Sequence, residues 1–203
     1  MRGALPLVIA AIEIALASTT LAADPRFPDW PCNQIKVPEI SVAAVWSGPS
    51  IDDVGDAWEQ DPVIRDLVAR LAARRTPLDE AQKLISDYIT GSADERRQKA
   101  KLIFAGLFAS LNRERNQVMD GIERFFRQQR KFAEKTRAEI AELRELQDRG
   151  GDPNRIEELA NRVAWDTRIF DEHRSTVSYA CEVPVLIEQR LFALARTIEQ
   201  AIE

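Results

Sequence analysis

Histidine occurs once in this chain, at position 173, cysteine and tyrosine twice each, and glycine only eight times in 203 residues. Each scarcity excludes something. A metal site wants several His, Cys or carboxylate ligands converging, and the Glu-x-x-His spacing of carboxylate-bridged di-iron bundles is missing because residue 170, three before His173, is Phe. No Gly-x-Ser-x-Gly turn presents a nucleophilic serine, and no glycine-rich loop is there to cradle a phosphate. The acidic residues are spread as on a solvated helix surface, with no two set apart as a glycosidase pair. The sequence therefore points to no catalytic residue, no cofactor and no metal, and the chain is expected not to be an enzyme.

Long apolar runs are scarce too. The one at residues 4–17 follows Arg2 and leads to Thr20-Leu21-Ala22, with small residues at the two positions that signal peptidase reads. Residues 1–22 are expected to be a cleavable secretory signal peptide, which makes the protein periplasmic or secreted. Glu13 weakens the run as a permanent anchor, since an acidic side chain in hydrocarbon costs roughly 2.5 to 3.5 kcal/mol. Membrane attachment is expected only if this segment stays uncleaved. The next most apolar stretch, residues 102–111, is too short to span a bilayer.

Basic charge is in deficit, with a net charge of -5. Removing Arg2 and Glu13 takes one charge of each sign and leaves that balance unchanged. A mildly acidic chain is a poor match for nucleic acid. About 180 exported residues make one domain, and 45% hydrophobic with 30% charged residues suits a helix-rich soluble protein. In an oxidising compartment the even cysteine count reads as a disulfide between Cys32 and Cys181, stabilising by up to roughly 5 kcal/mol on the chain-entropy model. Unlinked thiols or intermolecular bridges are the competing arrangement.

The chain is organised around residues 92–203. Ser92 and Glu95 form a capping box, and no proline or paired glycine follows until Gly150-Gly151, which predicts one helix over residues 93–149, about 85 Å long. Gly150-Gly151 stops that helix; Asp152 and Pro153 start another. Apolar residues match across the reversal. Leu146 with Ile156, Phe132 with Phe170, Phe125 with Val177 and Leu111 with Leu191 all have numbers adding to 302, with alternating three- and four-residue spacing along each run. That is the seam of an antiparallel coiled coil. Pro184 is expected to kink or break the returning helix.

Before this pair, residues 23–61 form a Pro- and Trp-rich arm bearing Trp30, Trp46 and Trp58, with a short helix expected over residues 38–46. The tryptophans are expected to staple the arm to the helices. Two short helices open at Asp61-Pro62 and Thr76-Pro77. The apolar stripe of the long helix is wide from Leu102 to Ile122 and narrows beyond Phe126, so neighbours are needed on several sides at one end only. The expected fold is all-α: a long antiparallel helical hairpin with a coiled-coil stalk (residues 123–181) and a small four-helix head (62–122 with 182–203), together one helical domain over 62–203.

Three surface features bear on function. His173 should face Gln129, and Thr136 should face Asp166, as polar layers that either fix register or serve as a pH switch or metal site. Arg124, Arg127, Arg130, Lys131, Lys135 and Arg137 form a basic cluster that anionic head groups or an acidic partner could use, though Lys131 and Arg130 should also meet Asp171 and Glu172 across the pair. Phe126, Ala133, Trp165 and Ile169 do not fit the seam and are the candidate interface, a second stripe along one side of the stalk. The expected function is that of an exported interaction or scaffold protein, presenting its hairpin to an unknown protein partner or to a second copy. The alternative is a small-ligand or metal-binding helical protein, with its site between the arm and the head or around His173.

Overall fold

A computed structural model describes residues 24–203; the expected signal peptide lies outside the described residues. Among them every regular element is helical: α1 (Val42–Val45), α2 (Ala57–Gln60), α3 (Pro62–Ala72), α4 (Leu78–Tyr88), α5 (Ala93–Asp148) and α6 (Pro153–Ile202). The fold is all-α.

The starts and stops follow from local chemistry. Asp61 caps α3, its carboxylate accepting from the Val63 and Ile64 amides at 2.8 and 3.3 Å, with Pro62 at the first position, where a missing N–H costs nothing. Ser92 and Glu95 close the capping box on α5: the Ser92 amide donates to Glu95 Oε2 at 2.8 Å, and the Glu95 amide donates to Ser92 Oγ at 3.4 Å. At its far end Gly150 takes a φ of 64°, open to glycine without strain, and the Gly151 amide donates to the Leu146 carbonyl at 2.8 Å. Asp152 then caps α6 by accepting from the Asn154 amide at 3.0 Å.

One core dominates. Leu67 and Leu71 of α3, Ala81, Ile85 and Ile89 from α4 and its end, Ile103, Phe104, Leu107 and Leu111 of α5, and Ile187, Leu191, Leu194 and Ile198 of α6 are all buried together. α3 lies mainly against α5, and α4 against α6. The arm joins this core through its tryptophans: Trp46 stacks on Phe104 with ring centroids 4.2 Å apart, and Trp58 packs where Gly106 leaves room. Trp30 closes a separate small cluster with Met119, Ile122 and Cys181. All three arm tryptophans are buried.

Beyond Ile122 the burial thins. From there to the turn, Thr136 is the only buried residue of α5, and on the first half of α6 only Leu159 and Asp166 are buried among the described side chains. The two helices nevertheless pack on one another. Arg115 meets Glu188, Gln129 meets His173, Lys135 meets Asp166 and Arg155 meets Glu142.

Two expectations are corrected, and one element is new. The helix expected over residues 38–46 is only Val42–Val45, ending where Trp46 turns to extended backbone so that its indole can donate to the Pro49 carbonyl at 2.7 Å. α2 was not foreseen. Pro184 does not break α6, which runs through it to Ile202. Its ring is buried, and the Gln34 amide group donates to the Cys181 carbonyl, next to the Ala180 carbonyl whose helical donor the proline removes.

Candidate interaction surface

The arm fixes the geometry of the middle of α5 and α6. The sulfurs of Cys32 and Cys181 are at bonding distance, with Cα atoms 5.6 Å apart, well within what a disulfide spans. Around this bond, Lys36 Nζ donates to Glu123 at 2.5 Å, and the Trp30 indole donates to the Gln34 carbonyl at 2.8 Å. Asp29 accepts from Arg127 at 3.0 Å and from Arg130 at 2.7 Å. Arg130 therefore does not pair with Glu172 as its register suggests. The arm brings a nearer carboxylate and takes two members of the basic cluster.

A residue absent from the sequence argument holds the next stretch of the arm. Arg115 is 2% exposed; its Nε donates to Glu188 Oε1 at 2.5 Å, and its Nη2 donates to the Val37 carbonyl at 2.5 Å. Weaker bonds reach the Pro38 carbonyl and Asn116 Oδ1 at 3.4 and 3.3 Å. The signal was available: Arg115 occupies the i, i+4 step between Leu111 and Met119, both buried, where a charge needs a partner.

Alongside the arm the two long helices enclose an open groove of about 1040 Å³. Phe126, Ala133, Phe170 and Val177 supply apolar lining, Arg130, Glu134, Arg137 and Glu182 supply charge, and Pro31 to Gln34 wall one end. A smaller hollow of about 260 Å³ is lined by Gly121, Ile122, Phe125, Thr176 and Ala180. Trp165 precedes Thr176, and Ile169 precedes Ala180, by eleven residues, close to three full turns, so both point the way of this smaller hollow. The structure thus places Phe126 and Ala133 in the large groove and leaves Trp165 and Ile169 outside it. Trp165 is 60% exposed, and Ile169 is half-buried.

The polar layers are on the page as well. Gln129 Nε2 lies 2.7 Å from His173 Nδ1, and the His173 ring meets Phe125 edge-on at 5.4 Å. Gln129 Oε1 is buried without a partner. Lys135 Nζ donates to Asp166 Oδ2 at 2.9 Å and sits 3.4 Å from Glu139 Oε1; the hydrogen bond to Asp166 raises the ammonium's pKa above its ordinary value. Thr136 turns its hydroxyl back to the Phe132 carbonyl at 3.0 Å rather than across to Asp166. Among the described residues no group of three or more His, Cys, Asp or Glu side chains converges as metal ligands would, and no helix is long and apolar enough to cross a membrane. No known protein family, curated protein or solved structure matches this chain.

Proposed function

We propose that this is an exported, non-enzymatic interaction protein whose two long helices form an antiparallel coiled-coil hairpin, held out from a compact head as a stalk for a protein partner. What carries the reading is the length of α5 and α6 over which burial thins, crossed by the arm only as far as Arg130. Past Ile122 the helices continue for a further 26 residues to the turn, about 39 Å, with almost none of the burial seen nearer the chain ends. Such a length adds little to the core and exposes Trp165 to solvent. The antiparallel sense is supported by the cross-helix contacts, in which the α6 number falls as the α5 number rises: 115 with 188, 129 with 173, 135 with 166 and 142 with 155. Export is supported by the character of residues 1–22 and by the cysteine pair at disulfide distance, a bond that persists in oxidising compartments.

On this reading Trp165 and Ile169 are the anchor for the partner, because an exposed tryptophan costs solubility unless something covers it, and truncating a tryptophan anchor costs on the order of 2 kcal/mol or more. A photo-crosslinking residue placed at position 165 in the producing cell should yield a discrete adduct with another protein, and the same residue at Arg70 on α3 should not. Trp165→Ser with Ile169→Ser should abolish partner binding with helicity unchanged, while His173→Gln should leave it intact. No adduct from position 165, or normal binding by the double variant, would refute the assignment.

The small-ligand reading keeps two observations in its favour. The groove's volume is that of a typical small-molecule site, and an unpartnered amide oxygen lies at Gln129 beside it. Native mass spectrometry of purified protein separates the two: a stoichiometric bound mass supports the ligand, and its absence supports the interaction protein.

A further inference from the structure

We propose that the large groove is covered by a second copy of this chain, the two copies packing across one another about a two-fold axis close to Gln129. The inference rests on the presented-hairpin reading but uses a different face from the one assigned to the partner protein.

Charge placement argues for a copy rather than a foreign chain. Arg137 and Glu182 both line the groove, and neither has an oppositely charged partner within 4 Å among the described residues. Measured from the Gln129 contact with His173, Arg137 lies eight residues along α5, about 12 Å, on the side of the Lys135 contact with Asp166. Glu182 lies nine residues along α6, about 13.5 Å, in the opposite direction, toward the Arg115 contact with Glu188. A two-fold axis at Gln129 exchanges these positions. Each copy's Arg137 then meets the other's Glu182, and the dimer gains the pair twice, as an isologous interface requires.

Shape follows the same symmetry. Phe126 lies three residues from Gln129 on the Glu182 side, and Ala133 four residues away on the Arg137 side. The rotation sets the aromatic ring of one copy over the methyl group of the other, large against small, as interdigitating helices demand. The arm, which raises one end of the groove at Pro31 to Gln34, comes to lie over the end near Arg137, where the helices carry no third layer. A face about 30 Å long and about two helix diameters wide would bury roughly 1,200 Å² across the two copies, the lower end of what a specific interface needs. The expected dimer is therefore weak and reversible, with micromolar to submillimolar dissociation.

Sedimentation equilibrium on the disulfide-intact chain lacking residues 1–22 tests this. Wild type should show a monomer–dimer equilibrium. Arg137→Glu and Glu182→Arg, each of which sets like charges together twice, should each weaken dimerisation about tenfold or more. The double variant R137E/E182R should restore the wild-type constant to within about threefold, since it re-creates both pairs with the signs exchanged. Circular dichroism of each variant separates lost association from lost folding. A photo-crosslinking residue at Ala133 should capture a peptide containing Phe126 from the other copy. A chain that stays monomeric at several hundred micromolar, charge variants that dimerise normally, or singles that weaken without rescue each overturn the proposal, as does a monomer carrying a small molecule in the groove. If Trp165→Ser with Ile169→Ser loses partner binding while dimerisation persists, both proposals stand. If that double variant still binds its partner, only the partner reading falls.

Discussion

Replacing Arg115 with methionine tests whether the arm is held by buried charge or merely tethered by its disulfide. The substitution keeps the unbranched apolar stem and removes the guanidinium, which donates to Glu188, to two arm carbonyls and to Asn116. An exposed ion pair contributes at most about 1 kcal/mol, whereas breaking a buried one costs about 3 to 5 kcal/mol because the abandoned partner keeps its desolvation penalty. Arg115 is buried, but the Glu188 side chain is 31% exposed and regains water once released, so the lower end applies, about 3 kcal/mol. For a chain of this size that lowers Tm by about 6 to 12 °C. Urea unfolding followed by circular dichroism measures the loss, and hydrogen exchange locates it: amides of residues 35–41 should exchange faster while those near Phe104 keep their protection. Arg115→Lys should recover only part, since one ammonium cannot span Glu188 and the Val37 carbonyl in the fixed fork a guanidinium provides. A loss under about 1 kcal/mol for Arg115→Met, or faster exchange spread evenly over α5, would mean that the arm does not depend on this cluster.

Two further outcomes follow from close contacts and from charge. Gly106→Ala should destabilise by about 1 kcal/mol: the intrinsic gain of about 1 kcal/mol for alanine in a helix is outweighed by overpacking, because the new Cβ falls 2.7 Å from Val68 Cγ2 and 2.9 Å from the Trp58 ring; thermal melting that shows a more stable variant would refute the tight approach of α3 and Trp58 to α5. Glu95 has its pKa lowered from the ordinary 4.5, first by the Ser92 amide and then by the Ser92 hydroxyl, so its contribution is present above pH 4.5 and is lost as pH falls through the depressed value; the stability advantage of wild type over Glu95→Gln in urea melts should therefore be flat at neutral pH and shrink below 4.5, and a pH-independent difference would contradict it.

Helix ends were legible because their causes are local. Ser92 with Glu95, Asp61 with Pro62 and Asp152 with Pro153 each satisfy orphan amides within three residues of themselves, and each sets a boundary where the structure has one. The cysteine pair was legible by parity. Pro184 and Arg130 were not, because what decides them comes from far along the chain: Gln34 supplies a donor near the proline, and Asp29 draws the arginine away from Glu172. Both of those residues sit on an arm whose path no periodicity describes.

The candidate interface shows a subtler limit. Matching residue numbers across two helices fixes the height at which residues face one another, and on that scale Ala133 and Ile169 stand level. Height says nothing about angle. Successive helical residues turn by 100°, so residues at one height but a single position apart in phase lie on different sides of the seam. Ala133 belongs with Phe126, seven residues before it, and the two line the large groove with Phe170. Ile169 belongs instead with Ala180, and Trp165 with Thr176, on the side of the smaller hollow. The four residues thus fall on two faces, and Trp165 is the one among them that stands largely in solvent. A protein that needed only one partner would need only one of them. Two independent faces on a single pair of helices are what a chain requires if it pairs with itself through one and reaches a different protein through the other, and the variants at Arg137, Glu182, Trp165 and Ile169 separate those two uses without disturbing the seam between them.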